Sequence, residues 1–179
     1  GGAPAGTEAS RQAGRGGEFL IHLHTHSEFS LCAGAAKIRE LVVRAKELNM
    51  PAIALTDTNR MSGLILFYLE CRAQGIKPIL GVELSEKDKP EESIVALAKN
   101  VNGYSDLCEI ITKRHLEPDF MLRNIADKAW PDLIFLANYP ELLEMLWDSQ
   151  PRENVFAELI NNSDLTRSRS RLVYETANR

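Results

Sequence analysis

The chain has 179 residues, 44% of them hydrophobic, enough for one domain with a sizeable core. Its formal net charge of −4 argues against unaided, nonspecific nucleic-acid binding, which needs a basic surface. No apolar run nears the roughly 18 residues of a membrane span. Three cysteines without CxxC spacing, Cys32, Cys71 and Cys108, point to reduced thiols and a cytoplasmic setting.

Residues 1–17 hold six of the eleven glycines and read as a disordered linker or leader, leaving 18–179 as the folded domain. Phe19 to His24 reads as a strand. Side chains two apart on a strand share a face, so His22, His24 and His26 would line up on one surface. Imidazole is the commonest metal ligand. A lone strand histidine is ordinarily a core residue, but a His-x-His pair at a strand end favours a metal site. Leu23 and Thr25 interrupt the run, unlike a tag.

Lys37 to Leu48 carries a helical apolar stripe of Ile38, Leu41, Val42, Ala45 and Leu48, ended by Asn49-Met50-Pro51. Ala52 to Leu55 is a buried strand running into Thr56-Asp57-Thr58-Asn59. Gly63 to Gln74 is a helix stopped by Gly75. Pro78 to Leu84 and Ile94 to Ala98 are the third and fourth strands. Asn102 to His115 and Asp119 to Ala129 read as helices, Leu133 to Leu136 as a fifth strand and Pro140 to Trp147 as a short helix. Asn154 to Ile160 is a sixth strand and Leu165 to Ala177 a final helix.

Strands alternating with helices imply a parallel sheet with helices outside. Without a dinucleotide glycine pattern, six such units favour a barrel or distorted barrel, whose chemistry sits at the C-terminal strand ends. His24 and His26 end the first strand, Asp57 the second and Glu83 the third. Each delivers a metal-competent side chain where that rule puts a site. Other reactive types read blandly. Cys71 and Cys108 fall in helical patterns as core, and Cys32, near the histidines, reads as a small hydrophobe. His115 reads as a surface residue at a helix end. Arg167, Arg169 and Arg171, with Arg179, read as a solvated face, Trp130 and Trp147 as core or interface, and Lys87 to Glu92 as a charged loop.

Four segments carry a family resemblance: His22-Leu23-His24-Thr25-His26-Ser27-Glu28-Phe29-Ser30 with Gly34-Ala35-Ala36-Lys37; Met50 to Asp57; Gly75-Ile76-Lys77-Pro78-Ile79-Leu80-Gly81-Val82-Glu83; and Ala96 to Asn100 followed by Gly103-Tyr104. They resemble the polymerase-and-histidinol-phosphatase (PHP) domain, in the form found at the N-terminus of bacterial DNA polymerase III alpha subunits. The resemblance covers 19–115 well and 116–179 loosely. It implies a distorted (β/α)7 barrel whose active members bind up to three metal ions and hydrolyse phosphate esters. In some polymerases the domain is a 3′–5′ exonuclease. In others it has lost its ligands and serves as scaffold and dock for the proofreading exonuclease subunit.

Carried over to this chain, the resemblance makes His24 and His26 the first ligand pair and Glu83 the bridging carboxylate, with Asp57 adjacent. The family's further ligand positions hold other residues: Thr58 for a histidine, Ala33 for an acid, Ser93 for a histidine, and Asn138 after the fifth strand. The closing Asp-x-His and a seventh strand would lie beyond Arg179, so the domain is expected to be C-terminally incomplete. Two-ion phosphodiester hydrolysis wants more ligands than these, and Thr and Ala do not replace His and Asp. The resemblance therefore implies one weakly held divalent metal, zinc or manganese, or none. It also implies a scaffold role in a DNA polymerase serving replication or repair synthesis. The partners would be the remaining polymerase domains and the proofreading subunit, with DNA reached only through the parent protein and no membrane. The alternative is an active metal-dependent phosphoesterase, either a 3′–5′ exonuclease or a small-phosphoester hydrolase.

Overall fold

The structure is a computed structural model that describes residues 20–31, 34–86 and 88–178. The leader, Phe19, Cys32, Ala33, Lys87 and Arg179 lie outside the described residues, and with them the readings placed on these positions. In chain order the elements are α1 (Ile38–Glu47), β1 (Ala52–Leu55), α2 (Leu64–Gln74), β2 (Lys77–Ser85), β3 (Ser93–Ala98), α3 (Val101–Leu116), a 3-10 helix (Leu122–Asp127), β4 (Leu133–Ala137), α4 (Pro140–Ser149), a 3-10 turn (Arg152–Asn154), β5 (Val155–Ala157) and α5 (Asp164–Ala177). The strands form one five-stranded sheet in the order β1-β2-β3-β4-β5. No helix among the described residues is long and apolar enough to cross a membrane.

Local chemistry sets most boundaries. Glu28 reaches across to accept from the Ile38 N–H and so caps α1. Gly75 ends α2 in the left-handed conformation, which costs glycine nothing. The Asn100 side chain accepts from the N–H groups of Asn102 and Gly103 and caps α3. Ser163 does the same for α5 through Thr166, and Pro140 opens α4.

The sheet is mixed, not parallel throughout. β1–β2 and β4–β5 are parallel, whereas β3 is antiparallel to both its neighbours. The β2–β3 connection holds no helix among its described residues, 86 and 88–92, so the chain doubles straight back. Between β3 and β4 it reverses twice. α3 climbs to place His115 on the Asn59 carbonyl, and the 3-10 segment returns it to where Lys99 N–H meets the Asp132 carbonyl. The C-terminal ends of β1, β2, β4 and β5 therefore share one edge of the sheet with the N-terminal end of β3.

Residues of β1, β3 and β4 are largely buried whichever face they point to, which explains strands that read as nearly unbroken apolar runs. On one face Ile94, Ala96, Leu133, Phe135 and Val155 pack under α3, the 3-10 helix, α4 and α5, while Ile53 and Leu55 pack under α1 and α2. On the other face Ala54, Val95, Leu97 and Leu136 form a smaller cluster. In β2, Val82 and Leu84 face the helices. Alternation therefore turns Glu83 to the opposite face, with the small cluster. Cys71 is buried in the α1–α2 core as expected; burial, then the Glu70 charge, pushes its thiol up to about 12, so it is inert at neutral pH. Trp130 is core, its indole N–H on the Ile125 carbonyl, while Trp147 is half exposed under Arg152.

Three further expectations are corrected. Residues 20–26 form no ladder strand and bend at Leu23 and His24; they dock on β1 through Ala54 N–H to the His22 carbonyl and Thr56 N–H to the Thr25 carbonyl. The helix expected over Asp119 to Ala129 shrinks to the 3-10 piece Leu122–Asp127, whose start is set by side chains: Asn124 Oδ1 accepts from the Met121 N–H and Glu86 Oε1 from the Leu122 N–H. The last strand is only Val155–Ala157. Among the described residues five strands are present, and β1 and β5 stand at the two ends of their sheet without pairing to each other. A groove of about 880 Å³ lies over the small-cluster face of the sheet, lined by Ile79, Leu97, Leu136, His22, Phe156 and Leu159 among others.

Candidate metal centre

His24, His26 and Glu83 converge at the shared edge of the sheet. Each offers one donor atom, and these atoms all lie within 4.8 Å of one another. His24 Nε2 is 3.1 Å from His26 Nε2 and 3.5 Å from Glu83 Oε1, and His26 Nε2 is 3.3 Å from Glu83 Oε2. Four ligands at about 2.0–2.1 Å in a tetrahedron stand about 3.3 Å apart, so the three groups fit a single divalent ion with a further position open. Two imidazoles and a carboxylate suit zinc or manganese by donor type. His22 takes no part. It is exposed on the groove, so two of the three aligned imidazoles are brought together.

The backbone holds this arrangement from several sides. The Thr25 N–H donates to Thr56 Oγ1, the Thr56 hydroxyl donates to the Thr25 carbonyl, and the Thr25 hydroxyl donates to the Ala54 carbonyl. These bonds fix the chain between the two histidines on the end of β1. Glu83 lies two residues inside the end of β2, bridged to Thr58, whose hydroxyl donates to Glu83 Oε2 at 2.7 Å. The loop after β1 is pinned in turn by Asn59, whose side chain bonds Ser85 twice, and by His115. The surface histidine of the sequence reading thus braces the loop that carries Thr58.

Charge is tightly coupled here. Burial works against an ionised His24, but hydrogen bonds to Glu158 and Glu83 outweigh it and raise the imidazole to about 9. Burial likewise disfavours ionised Glu83, yet His24, His26 and Thr58 hold its carboxyl well below the usual carboxylate range. Metal-free, the site is an imidazolium–carboxylate cluster, and an incoming cation takes the place of a proton.

Asp57 is close by in sequence but differently employed. It is buried, and its two oxygens accept from Ser27 N–H, Ser27 Oγ and Ser30 Oγ, each at 2.7 Å. It anchors the turn after the histidines and belongs to no metal-competent group among the described residues. Gly34 closes the same turn, since a Cβ there would collide with the Ser27 carbonyl. Ser93 and Asn138 meet each other. Ser93 N–H donates to Asn138 Oδ1 and Asn138 Nδ2 donates to Ser93 Oγ, both residues being buried. Of the arginines, Arg167 and Arg171 pair with Asp164 and Glu175 on their own helix, and Arg169 stacks on Tyr139. Sequence reasoning missed Glu158. It follows β5, and its Oε1 lies 2.6 Å from His24 Nδ1. The strand-end rule that found Glu83 also points to it, as the acid closing an otherwise apolar strand.

These features make the chain a mixed α/β domain with a candidate metal centre at its strand ends. It belongs to the PHP domain family, whose sequence pattern matches residues 22–159. Over 121 residues it is 42% identical to the DNA polymerase III subunit alpha of Borreliella burgdorferi, covering 61% of this chain and 10% of that protein. With the same subunit of Vibrio cholerae it shares 38% over 115 residues, covering 62% and 10%. The matched region thus spans a tenth of the length of these relatives. The fold is shared with a proposed metal-dependent phosphoesterase from Bifidobacterium adolescentis, at a TM-score of 0.54 and 14% identity over 90% of this chain and 85% of that one.

Proposed function

We propose that this chain is the PHP domain of a DNA polymerase III alpha-type polymerase, with a reduced site for one divalent ion and a scaffolding role. The observation that carries this is the fate of the family's ligand positions. Three donors converge, while Thr58, Ser93 and Asn138 are hydrogen-bonded to neighbouring side chains as neutral groups. Bound there, a divalent ion supplies Lewis acidity and a fixed positive charge. Two-ion phosphodiester hydrolysis needs a second set of ligands, and the described residues offer no second metal-competent cluster. In this reading the partners are the remaining polymerase domains and a proofreading exonuclease subunit.

A second reading, a single-ion phosphoesterase, is favoured by the open position beside the two histidines and the glutamate, since a site of this ligand type can activate a bound water. The two readings separate on 3′-labelled single-stranded DNA and on bis(p-nitrophenyl) phosphate, assayed with zinc and with manganese. The scaffold reading expects no turnover above background. A steady rate that His26→Ala abolishes establishes the phosphoesterase instead; a rate that persists in that variant comes from a contaminant.

A further inference from the structure

The geometry points to Glu158 as the positioning residue of the metal centre, a role that rests on the one-ion reading above. Its Oε1 lies 2.6 Å from His24 Nδ1, on the side of the ring away from the Nε2 atom that faces His26 and Glu83. An imidazole whose Nδ1–H is engaged by a carboxylate is fixed in both tautomer and orientation, which leaves Nε2 as the ligand atom.

Two features separate this from an incidental ion pair. Glu158 reaches His24 across 134 residues of sequence, from a strand that is not hydrogen-bonded to the histidine segment. Its second oxygen, Oε2, is buried and lacks a hydrogen-bond partner. A carboxylate serving packing alone is ordinarily satisfied at both oxygens; here the hydrogen bonding of the buried group is directed at His24. The backbone aims it there. The Glu158 N–H donates to the Ala137 carbonyl, continuing the β4–β5 ladder one residue past the strand and so setting the side chain's direction.

Zinc affinity, measured by competition against a chromophoric chelator, tests this together with long-range ¹H–¹⁵N spectra of the histidine rings. The proteins are the wild type, Glu158→Ala and Glu158→Gln. With zinc bound, the wild type is expected to show His24 coordinated through Nε2 with a protonated, exchange-protected Nδ1. Glu158→Ala is expected to bind about 10–100-fold more weakly, the range carried by such outer partners, and to lose that protection. Glu158→Gln, whose side-chain oxygen still accepts from Nδ1–H, is expected to restore most of the affinity and the Nδ1–H signal. Should the alanine variant fail to fold, the glutamine variant's Nδ1–H signal decides the matter. Wild-type affinity and tautomer in Glu158→Ala overturn the inference alone, as does a glutamine variant without the Nδ1–H signal. A wild type that takes up no zinc overturns the one-ion reading and this inference with it.

Discussion

Glu83→Ala is expected to lower zinc affinity by more than about 100-fold, beyond the roughly 10–100-fold carried by residues that only orient a ligand. Glu83 faces both imidazoles, one carboxylate oxygen toward each. It is the only carboxylate in the converging group among the described residues. Its loss leaves two imidazoles, one of them engaged by Glu158, and no negative charge directly opposite the ion. The fold should survive. Glu83 sits on the face of β2 away from the main core, and its backbone bonds to Asp57 and Asn59 do not depend on the side chain. Chelator competition with a parallel denaturant melt checks both halves. Affinity within about 10-fold of wild type would remove Glu83 from the ligand set, because losing one of so few protein ligands cannot cost so little.

Asp57→Ala is expected to cost about 3–5 kcal/mol of stability with or without metal, because it strands the Ser27 N–H and the hydroxyls of Ser27 and Ser30 in a buried turn. Each unsatisfied buried donor costs about 1–3 kcal/mol, tempered by hydroxyl rotation. Asp57→Asn keeps one acceptor oxygen and should cost less than half as much. Urea unfolding at two metal concentrations separates this role from ligation. An alanine variant within about 0.5 kcal/mol of wild type would show that the turn is held by other means, and a loss seen only with metal present would make Asp57 a ligand.

Much of this was legible in the chain itself. Helical stripes and breakers place α1, β1 and α2 to within a residue or so, since Gly75 and Asn49-Met50-Pro51 are chemically explicit stops. Strand direction was not legible, because the apolar run Ser93–Ala98 reads the same either way. What turns β3 around is a connection without a helix. Where a helix was expected, Asn124 and Glu86 take the N–H groups of Met121 and Leu122, and a 3-10 piece stands over Leu122–Asp127 instead. At the site, the strand-end rule picks out Glu83 and the His-x-His spacing picks out His24 and His26, although the histidines lie on no ladder strand and the alternation that lined up His22 with them does not hold. The job of Asp57 does not, since its partners Ser27 and Ser30 come from a turn 30 and 27 residues earlier. Glu158 was within reach of the same rule, but its target is 134 residues away. Pairing at that range depends on how the sheet curves, which no local pattern encodes.

The stoichiometry of tightly held metal tests the central claim most directly. Purified protein is saturated with zinc or with manganese, dialysed against metal-free buffer and analysed for bound metal per chain. A site built from His24, His26 and Glu83 predicts no more than one ion per chain, saturating at one in direct titration and absent in Glu83→Ala. Two or three ions per chain surviving dialysis would contradict the account, because Thr58, Ser93 and Asn138 would then stand among ligands that the one-ion reading leaves out.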